Sequence, residues 1–277
     1  RQEEDMRLKI RELLENVEGK SEFNFVTEIA EQLPLWVLCE MMGIPESDRS
    51  KIRDLVNNLT DASIQQDPNN SFQIWVNYME LFKMGRDMIE ERRKKPTDDL
   101  MSVVANTKVE GGDLPPELLD GFFLLMVIAG NETTRNTLTG GLMALTENPS
   151  EREKLLKDPS LIANATDEML RWVTSVIYFR RTATKDTNIR GQDIKAGDKI
   201  IMWYGSANRD EDIFIDGHLF KVDRQNAKKH LAFGAGEHLC LGNRLGHMQI
   251  RILFEELLKR FPCLLYTSDA ADDETSV

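Results

Sequence analysis

Apolar residues recur every three or four positions through most of the first 159 residues, the spacing of one face of an α-helix. Glycine and proline mark where predicted helices stop, as at Gly43 followed by Pro45. The longest predicted helix is apolar on all sides over residues 122–129, which is typical of a helix through the middle of a domain. The pattern predicts a first helix ending near Gly19 and further helices over about residues 24–42, 46–65, 71–95, 98–108 and 117–148.

The pattern changes after residue 160. One more helix extends to about Val173, and segments rich in β-branched and aromatic residues then predict short strands over 178–184, 187–189 and 199–204. A glycine-containing loop follows, and helical spacing resumes from Leu245. We therefore expect a mainly helical fold with a small β-sheet region, of the α+β class.

Composition narrows the class of protein. The 277 residues are 41% hydrophobic and 30% charged, and their net charge is −12. A general nucleic-acid surface needs clustered lysine and arginine, so we expect no nucleic-acid partner. No run of 18 apolar residues occurs, which predicts no membrane span in this segment. The three cysteines have no regular spacing and predict no disulfide framework, which favours a reducing, cytoplasmic location.

The two ends of the chain do not look like the ends of a complete protein. Arg1 opens inside a helical pattern with no cap before it, and the helical period is lost after residue 262. Residues from Cys263 onward trail off in small and acidic side chains and are similar to a translated sequencing adapter. We expect residues 1–262 to be the C-terminal portion of one domain and residues 263–277 to be a non-native tail.

The most informative segment is residues 233–242, FGAGEHLCLG, where a cysteine ends a glycine-punctuated loop directly before a predicted helix. Cys240 therefore lies at a helix N-terminus, where unpaired N–H groups and the helix dipole stabilise a thiolate. The glycines allow positive φ and let a flat group approach the backbone. No second cysteine or close histidine pair completes a tetrahedral zinc site, whereas a single thiolate suits a haem iron. The alternative is a buried structural cysteine in a glycine-rich turn.

Residues 233–242 match the pattern FGxGxHxCxG, and on this match the chain resembles the cytochrome P450 monooxygenases. The resemblance implies the P450 fold, incomplete at the N-terminus. It also implies haem b (iron protoporphyrin IX) as the cofactor and Cys240 as the iron ligand. Phe233, Gly234 and His238 would belong to the haem-binding loop.

A second match lies in the longest predicted helix, at residues 129–134, AGNETT. A glycine inside a helix costs about 0.5–1 kcal/mol relative to alanine, so Gly130 needs either close packing or a functional reason. The string is similar to the (A/G)Gx(E/D)T element of the P450 central helix. That resemblance implies a helix locally opened at Ala129 and Gly130 to make room for dioxygen. Thr133 would hydrogen-bond the dioxygen, and Glu132 would relay protons from solvent.

Glu168 and Arg171 are three residues apart on a predicted helix, a spacing that by itself describes any exposed ion pair. In order and context they are similar to the ExxR element of the same family. There the pair is buried and joined by a downstream arginine, here Arg224, and it holds the cysteine loop in place without taking part in chemistry. The match at Arg224 departs from the family, because Lys221 and Gly217 stand where aspartate and proline are usual.

Haem carries two propionates, for which cationic side chains are the natural partners. The resemblance assigns this role to Arg181, in the first predicted strand, and to His238. The neighbouring Arg180 is the competing choice for Arg181. We expect His218, His230 and His247 to be ordinary histidines, and the alternative for His230 is a minor propionate contact.

As a whole, the resemblance implies a soluble bacterial-type monooxygenase that inserts one oxygen atom of O2 into a C–H bond of a small apolar substrate. Electrons would come from NAD(P)H through a ferredoxin and a ferredoxin reductase, because the sequence has no flavin or iron–sulfur motif. Ala129, Gly130 and Ile177 would line the substrate pocket. Residues 203–211, with Asn131, are similar to the bacterial branch that acts on sterol side chains, terpenoids and branched lipids.

Two alternatives stay open. A haem-thiolate enzyme can use peroxide or rearrange its substrate, but neither chemistry needs the proton delivery that Glu132 and Thr133 imply. The chain could also be a non-functional truncated fragment, since the N-terminal part of the family would precede Arg1.

Overall fold

The computed structural model describes residues 2–267. Residues 268–277, which hold most of the predicted non-native tail, lie outside the described residues. Helices dominate the described chain and its strands are short and antiparallel, so the predicted α+β class is confirmed. The helices are α1 (Gln2–Glu15), α2 (Gln32–Met42), α3 (Glu46–Thr60), α4 (Ala62–Gln66), α5 (Ser71–Lys94), α6 (Leu100–Asn106), α7 (Pro116–Glu147), α8 (Pro149–Lys157), α9 (Ile162–Val173), α10 (Tyr204–Ala207) and α11 (Asn243–Arg260). The strands are β1 (Lys108–Val109), β2 (Gly112–Asp113), β3 (Tyr178–Thr182), β4 (Thr187–Ile189), β5 (Gln192–Ile194) and β6 (Lys199–Trp203).

The chain divides into two compact units that meet in sequence within α7, after Arg135. In the first unit, α2, α3, α5, α6 and the first half of α7 contribute to one apolar core. Phe123 of α7 is fully buried there, and a β-carbon at Gly85 of α5 would lie 2.8 Å from its ring. The glycine therefore lets α5 and α7 approach closely.

The end of α2 shows how local sequence fixes a helix boundary. Gly43 adopts the left-handed conformation with φ of 71°, as its stop signal predicts. A β-carbon there would lie 2.2 Å from a carboxylate oxygen of Asp99, so space also requires glycine. Asp99 accepts a hydrogen bond from the N–H of Ser102 (2.6 Å) and so caps the start of α6. Arg92 binds both Asp99 (2.6 Å) and the carbonyl oxygen of Gly43 (2.9 Å).

Several predicted boundaries differ from the structure. The helix predicted over 46–65 is divided at Asp61, whose backbone is extended (ψ 116°) and whose carboxylate caps α4 through the N–H of Ile64 at 3.4 Å. The helix predicted over 24–42 begins with a π-helical turn, Val26–Ala30. The prediction omitted α8, which Pro149 opens at its first turn.

In the second unit, the later half of α7 packs closely on α9 and α11. A β-carbon at Gly140 would lie 2.7 Å from Val173, and one at Gly141 would lie 3.0 Å from the sulfur of Met169 and 3.1 Å from the ring of Phe254. This glycine pair in mid-helix is therefore explained by packing alone. The 3₁₀ turn Ala227–Lys229 also contacts α9.

The strands of the second unit form two separate pairs. β3 pairs antiparallel with β6, from Tyr178 opposite Trp203 to Thr182 opposite Lys199. β4 and β5 form a hairpin whose turn residues Arg190 and Gly191 both have positive φ, 50° and 84°, which matches a type I′ turn. β5 was not predicted, because its sequence is polar.

Residues 262–266 belong to the second unit and are bonded to its helices α7 and α8. The N–H of Tyr266 donates a hydrogen bond of 3.0 Å to the hydroxyl of Thr146, and Arg152 binds the carbonyl oxygen of Pro262. Among the described helices, none combines the length and the apolar character that a membrane crossing requires.

Candidate functional site

Cys240 lies in the loop between the 3₁₀ turn Gly236–His238 and α11, and it is exposed. Its N–H donates a hydrogen bond of 2.9 Å to the carbonyl oxygen of Phe233, which closes the loop. Gly234 and Gly236 adopt positive φ, 72° and 67°. At Gly234 a β-carbon would also lie 3.3 Å from the hydroxyl of Tyr204, so conformation and space both favour glycine there.

The start of α11 fixes the place of the cysteine. The carbonyl oxygen of Cys240 accepts hydrogen bonds from the N–H of Asn243 (3.3 Å) and from its side-chain amide (2.6 Å). The thiol therefore lies beside the positive end of an 18-residue helix, where a negative charge is stabilised. Leu239 and Leu241, on either side of it, are 52% and 77% exposed. The thiol therefore lies between two exposed apolar side chains.

The buried cysteine of the first unit differs chemically from Cys240. Cys39 is fully buried in α2, and burial raises the pKa of its thiol to about 11. It therefore stays protonated at neutral pH, which makes it an unsuitable metal ligand.

Arg181 and Arg180 lie on opposite faces of the β3–β6 pair, because side chains alternate along a strand. The guanidinium of Arg181 lies over the ring of Phe179, 5.5 Å from its centroid. That ring contacts Tyr204, with centroids 5.9 Å apart, and the Tyr204 hydroxyl faces Gly234 of the cysteine loop. Arg181, not Arg180, thus shares the sheet face that leads to the loop.

His238, the second predicted propionate partner, ends the 3₁₀ turn before the cysteine and is exposed. Ile177, a predicted pocket residue, precedes β3 and is also exposed. Its carbonyl oxygen accepts hydrogen bonds from the N–H groups of Tyr204 (2.8 Å) and Gly205 (3.3 Å). Ile177 is therefore held at the same end of the β3–β6 pair as Tyr204.

The structure brings together the three residues of the predicted Glu–Arg–Arg cluster. Arg171 donates two hydrogen bonds of 2.7 Å to Glu168, and both side chains are fully buried. Arg224 donates from Nε to both oxygens of Glu168, at 3.0 and 3.1 Å. The remaining guanidinium groups of the two arginines bind backbone carbonyl oxygens of the segment after α10: Asn208, Ile215, Asp216, Gly217 and Leu219.

The two departures from the family pattern fit this cluster. The N–H of Lys221 donates a hydrogen bond of 2.9 Å to Glu168, a contact that does not depend on the side chain. A β-carbon at Gly217 would lie 2.5 Å from the carbonyl oxygen of Arg209. Gly217 thus lets its own carbonyl reach Arg171 in a crowded turn.

Asn208 is a residue that sequence reasoning gave no role. It is fully buried, and its side chain donates to the hydroxyl of Thr174 (2.9 Å) and accepts from the N–H of Leu231 (2.7 Å). Its carbonyl oxygen accepts from Arg171 at 2.7 Å. Asn208 therefore joins the Glu–Arg–Arg cluster to the segment that enters the cysteine loop.

Two of the three histidines expected to be ordinary share one buried partner. His230 and His247 both face the carboxylate of Asp167, at 3.7 and 3.3 Å. His218 is exposed and contacts Glu211. No sequence motif indicates the contacts of Asp167 with these histidines, because the three residues lie in separate segments of the chain.

In the first unit, the predicted dioxygen motif lies on α7. Glu132 is half-buried, and burial raises the pKa of its carboxyl group, while Arg135, 3.5 Å away, lowers it in part. The hydroxyl of Thr133 donates a hydrogen bond of 2.8 Å to the carbonyl oxygen of Ala129. Leu125 and Ala129 are exposed two turns and one turn before Thr133, respectively, so an apolar strip of the helix leads to the hydroxyl.

The expected local opening of this helix is wrong for the described structure. α7 is α-helical without interruption over Pro116–Glu147, including Ala129 and Gly130. The hydroxyl of Thr133 bonds to the carbonyl oxygen of Ala129, four residues earlier, and a regular helix can accommodate this bond without a break. A β-carbon at Gly130 would lie 3.4 Å from Leu38, an ordinary contact, so packing against Leu38 does not require glycine.

The residues around Cys240 fit a haem. One accessible thiol at a helix start can supply a single axial ligand, and the apolar residues beside it suit the face of a macrocycle. The positive-φ glycines keep the loop free of side chains there. Arg181 and His238 supply donors suited to propionates. Together with the Glu–Arg–Arg cluster, these features fit the haem-thiolate class of proteins.

Comparison with known proteins places the chain in a family. The cytochrome P450 model matches residues 47–275. A methyl-branched lipid omega-hydroxylase of Mycobacterium bovis is 38% identical over 253 residues, with 90% of this chain and 58% of that protein covered. A steroid C26-monooxygenase of Rhodococcus jostii is 38% identical over 244 residues, with 86% of this chain and 50% of that protein covered. A solved Mycobacterium marinum cytochrome P450 in complex with pseudoionone has a TM-score of 0.89 at 35% identity, covering 95% of this chain and 65% of that one.

The chain belongs to the cytochrome P450 family. It spans 58% and 50% of the length of the two curated relatives named above.

Proposed function

We propose that the protein is a haem-thiolate monooxygenase that inserts one oxygen atom of O2 into a C–H bond of an apolar substrate. The observation that carries the proposal is the accessible Cys240 thiol at the start of α11, on a glycine loop, in a chain that also holds the buried cluster of Glu168, Arg171 and Arg224. Family membership supports the same conclusion.

The proposed cofactor is haem b, which would supply the activation of O2 once it is bound through a thiolate. In this assignment Sγ of Cys240 is the ligand. Arg181 and His238 bind the propionates, and the placement of Arg181 on the Phe179 face of the β3–β6 pair supports it over Arg180. Phe233 and Gly234 hold the backbone of the loop in place.

The proposed proton carriers are Glu132 and Thr133. Cleavage of O–O needs protons delivered to dioxygen, and an acid beside an alcohol can pass them from solvent. Glu132 suits this role because burial raises the pKa of its carboxyl group toward the working pH. The Thr133 hydroxyl can rotate away from the Ala129 carbonyl to donate elsewhere.

The proposed substrate is of the sterol, terpenoid or branched-lipid type. Its apolar contacts would include Ala129, Gly130 and Ile177, and the exposed Leu125 extends the same strip of α7. The names of the two curated relatives, a branched-lipid hydroxylase and a steroid monooxygenase, support this class. The proposed electron donors are a ferredoxin and its NAD(P)H-dependent reductase.

Incorporation of isotopic oxygen tests the proposal. The haem-loaded protein would be incubated with NAD(P)H, a ferredoxin with its reductase, and ¹⁸O-labelled O2. A methyl-branched fatty acid and a steroid would serve as substrates, with a linear fatty acid as the comparison. We expect one labelled atom in the hydroxylated product of at least one branched or steroid substrate. Product that forms only with added peroxide, or a rearranged product without label, would favour peroxygenase or isomerase chemistry instead.

A further inference from the structure

Asp167 precedes Glu168 on α9, and the two buried carboxylates serve different neighbours. Glu168 binds the two arginines. Asp167 is 6% exposed and instead faces two histidines through one oxygen, Oδ1. That atom lies 3.3 Å from Nε2 of His247 and 3.7 Å from Nε2 of His230. Its other oxygen, Oδ2, is buried and has no hydrogen-bond partner in the described part of the chain.

The hydrogen-bond pattern of His230 orients its ring toward Asp167. Nδ1 accepts a hydrogen bond of 3.2 Å from the N–H of Ala232, so the ring proton belongs on Nε2, the nitrogen that faces Asp167. The same ring contacts Phe233, with centroids 5.6 Å apart. The carbonyl oxygen of Phe233 in turn holds the N–H of Cys240.

His247 belongs to the other end of the cysteine loop, in the early part of α11. The residue before it, Gly246, packs on the ring of Phe233, since a β-carbon there would lie 3.7 Å from the ring. The chain therefore enters the loop beside His230 and leaves it beside His247, and both ends meet the same carboxylate. We call Asp167, His230 and His247 the carboxylate clamp.

We propose that Asp167 is a positioning residue for Cys240. Asp167 acts through His230 and His247, which hold the two ends of the loop that presents the thiolate. The role in thiolate ligation rests on the proposed function, whereas the effect on the loop does not. An ionised carboxylate attracts an imidazole N–H more strongly than a neutral acceptor does, which suits a clamp built from two contacts.

The carboxyl group of Asp167 is more acidic than an ordinary aspartate. Burial by itself raises the pKa of Asp167, but the two imidazoles outweigh this and lower it to about 2. The charged groups of α9 beside it, Glu168 and Arg171, are bound to each other. Asp167 is therefore a carboxylate at neutral pH.

Amide hydrogen exchange of the haem-free protein tests the clamp without any use of activity. In Asp167→Asn we expect the amides of residues 233–242 to exchange about tenfold faster, while those of β3 and β6 keep the wild-type rate. The matched control is Asp223→Asn, which breaks an ion pair with Lys154 (2.9 Å) in the same unit. If Asp167→Asn fails to fold, His247→Gln carries the test, because that ring lies at the partly exposed edge of the clamp.

The ferrous–CO spectrum of the haem-loaded variants supplies the second readout. We expect the fraction of thiolate-ligated haem to fall several-fold in Asp167→Asn and to stay at the wild-type value in Asp223→Asn. Loop exchange and thiolate fraction unchanged in both Asp167→Asn and His247→Gln would overturn the proposal. Wild-type protein that never shows the thiolate band would overturn the proposed function instead, and loop exchange would still report on the clamp.

Discussion

Arg171 meets Glu168 edge to edge, with two parallel N–H···O bonds of 2.7 Å between side chains that are fully buried. This bidentate geometry uses the planar fork of the guanidinium, which lysine could not reproduce. Arg224 and the N–H of Lys221 complete the partners of the carboxylate. The cluster is therefore fully paired and is placed to support the backbone between α10 and the cysteine loop.

Removal of one partner from this cluster should prevent formation of stable holoprotein. In Glu168→Ala or Arg171→Ala, an uncompensated buried charge costs roughly 3–5 kcal/mol. We expect little soluble protein and a low haem content, measured from the Soret absorbance relative to protein. Glu153→Ala, which removes an exposed pair with Lys157, is the control and should resemble wild type. A soluble, haem-replete but inactive Glu168→Ala protein would show that Glu168 is catalytic.

Thr133→Ala should separate electron consumption from product formation. The variant keeps the apolar strip of α7 but loses the hydroxyl, so haem and substrate binding should persist while reduced oxygen leaves as peroxide. The measurement is peroxide and product formed per NAD(P)H consumed. Thr146→Ala, which removes a comparable hydroxyl bonded to the carbonyl four residues earlier in α7, is the matched control. An unchanged product yield in Thr133→Ala would rule out the proposed role.

Glu132→Gln should show that the buried acid at this position lowers the stability of the folded protein at neutral pH. Because burial raises the pKa of Glu132 in the folded protein, its ionised form is disfavoured there. The stability that the protonated form contributes is present below the unfolded-state pKa of about 4.3 and is lost as pH rises through the folded value. We therefore expect Glu132→Gln to be more stable than wild type at pH 7, by less than about 1 kcal/mol, and equal to it near pH 3. Chemical denaturation at both pH values measures this, and a less stable variant at pH 7 would contradict it.

Deletion of Cys263–Val277 should leave the protein intact. Within the described residues, this segment donates one hydrogen bond from Tyr266 to Thr146 and one of 3.1 Å from the N–H of Leu264 to the carbonyl oxygen of Phe261, and each such bond contributes about 1 kcal/mol. We expect a melting temperature within about 4 °C of the original and an unchanged haem content. A larger drop, or a genomic read that continues through the same codons, would show that the segment is native.

The sequence and the structure agree best where a signal is local. Gly43 ends its helix as predicted, because a single glycine is enough to allow the positive φ that ends a helix. The cysteine loop and the Glu168–Arg171 spacing are also local, and the structure places them where the motifs indicate. The split at Asp61 was missed because an aspartate in an amphipathic pattern reads equally as a surface residue or as a cap.

Signals that depend on folding in three dimensions were missed. Asp167, His230 and His247 come together from three separate segments, and no spacing along the chain predicts that they are in contact. Asn208 likewise reads as one polar residue in a turn, although it joins Arg171 to the segment before the cysteine. The choice between Arg181 and Arg180 also needed the strand register, which decides the face that each side chain occupies.

The identity of the iron ligand is the central claim, and the ferrous–CO spectrum tests it most directly. The protein should show the red-shifted Soret band of thiolate ligation. Cys240→His should abolish that band, and Cys39→Ser, which changes a buried thiol of the core, should keep it. A thiolate band that survives in Cys240→His, or that disappears only in Cys39→Ser, would contradict the account.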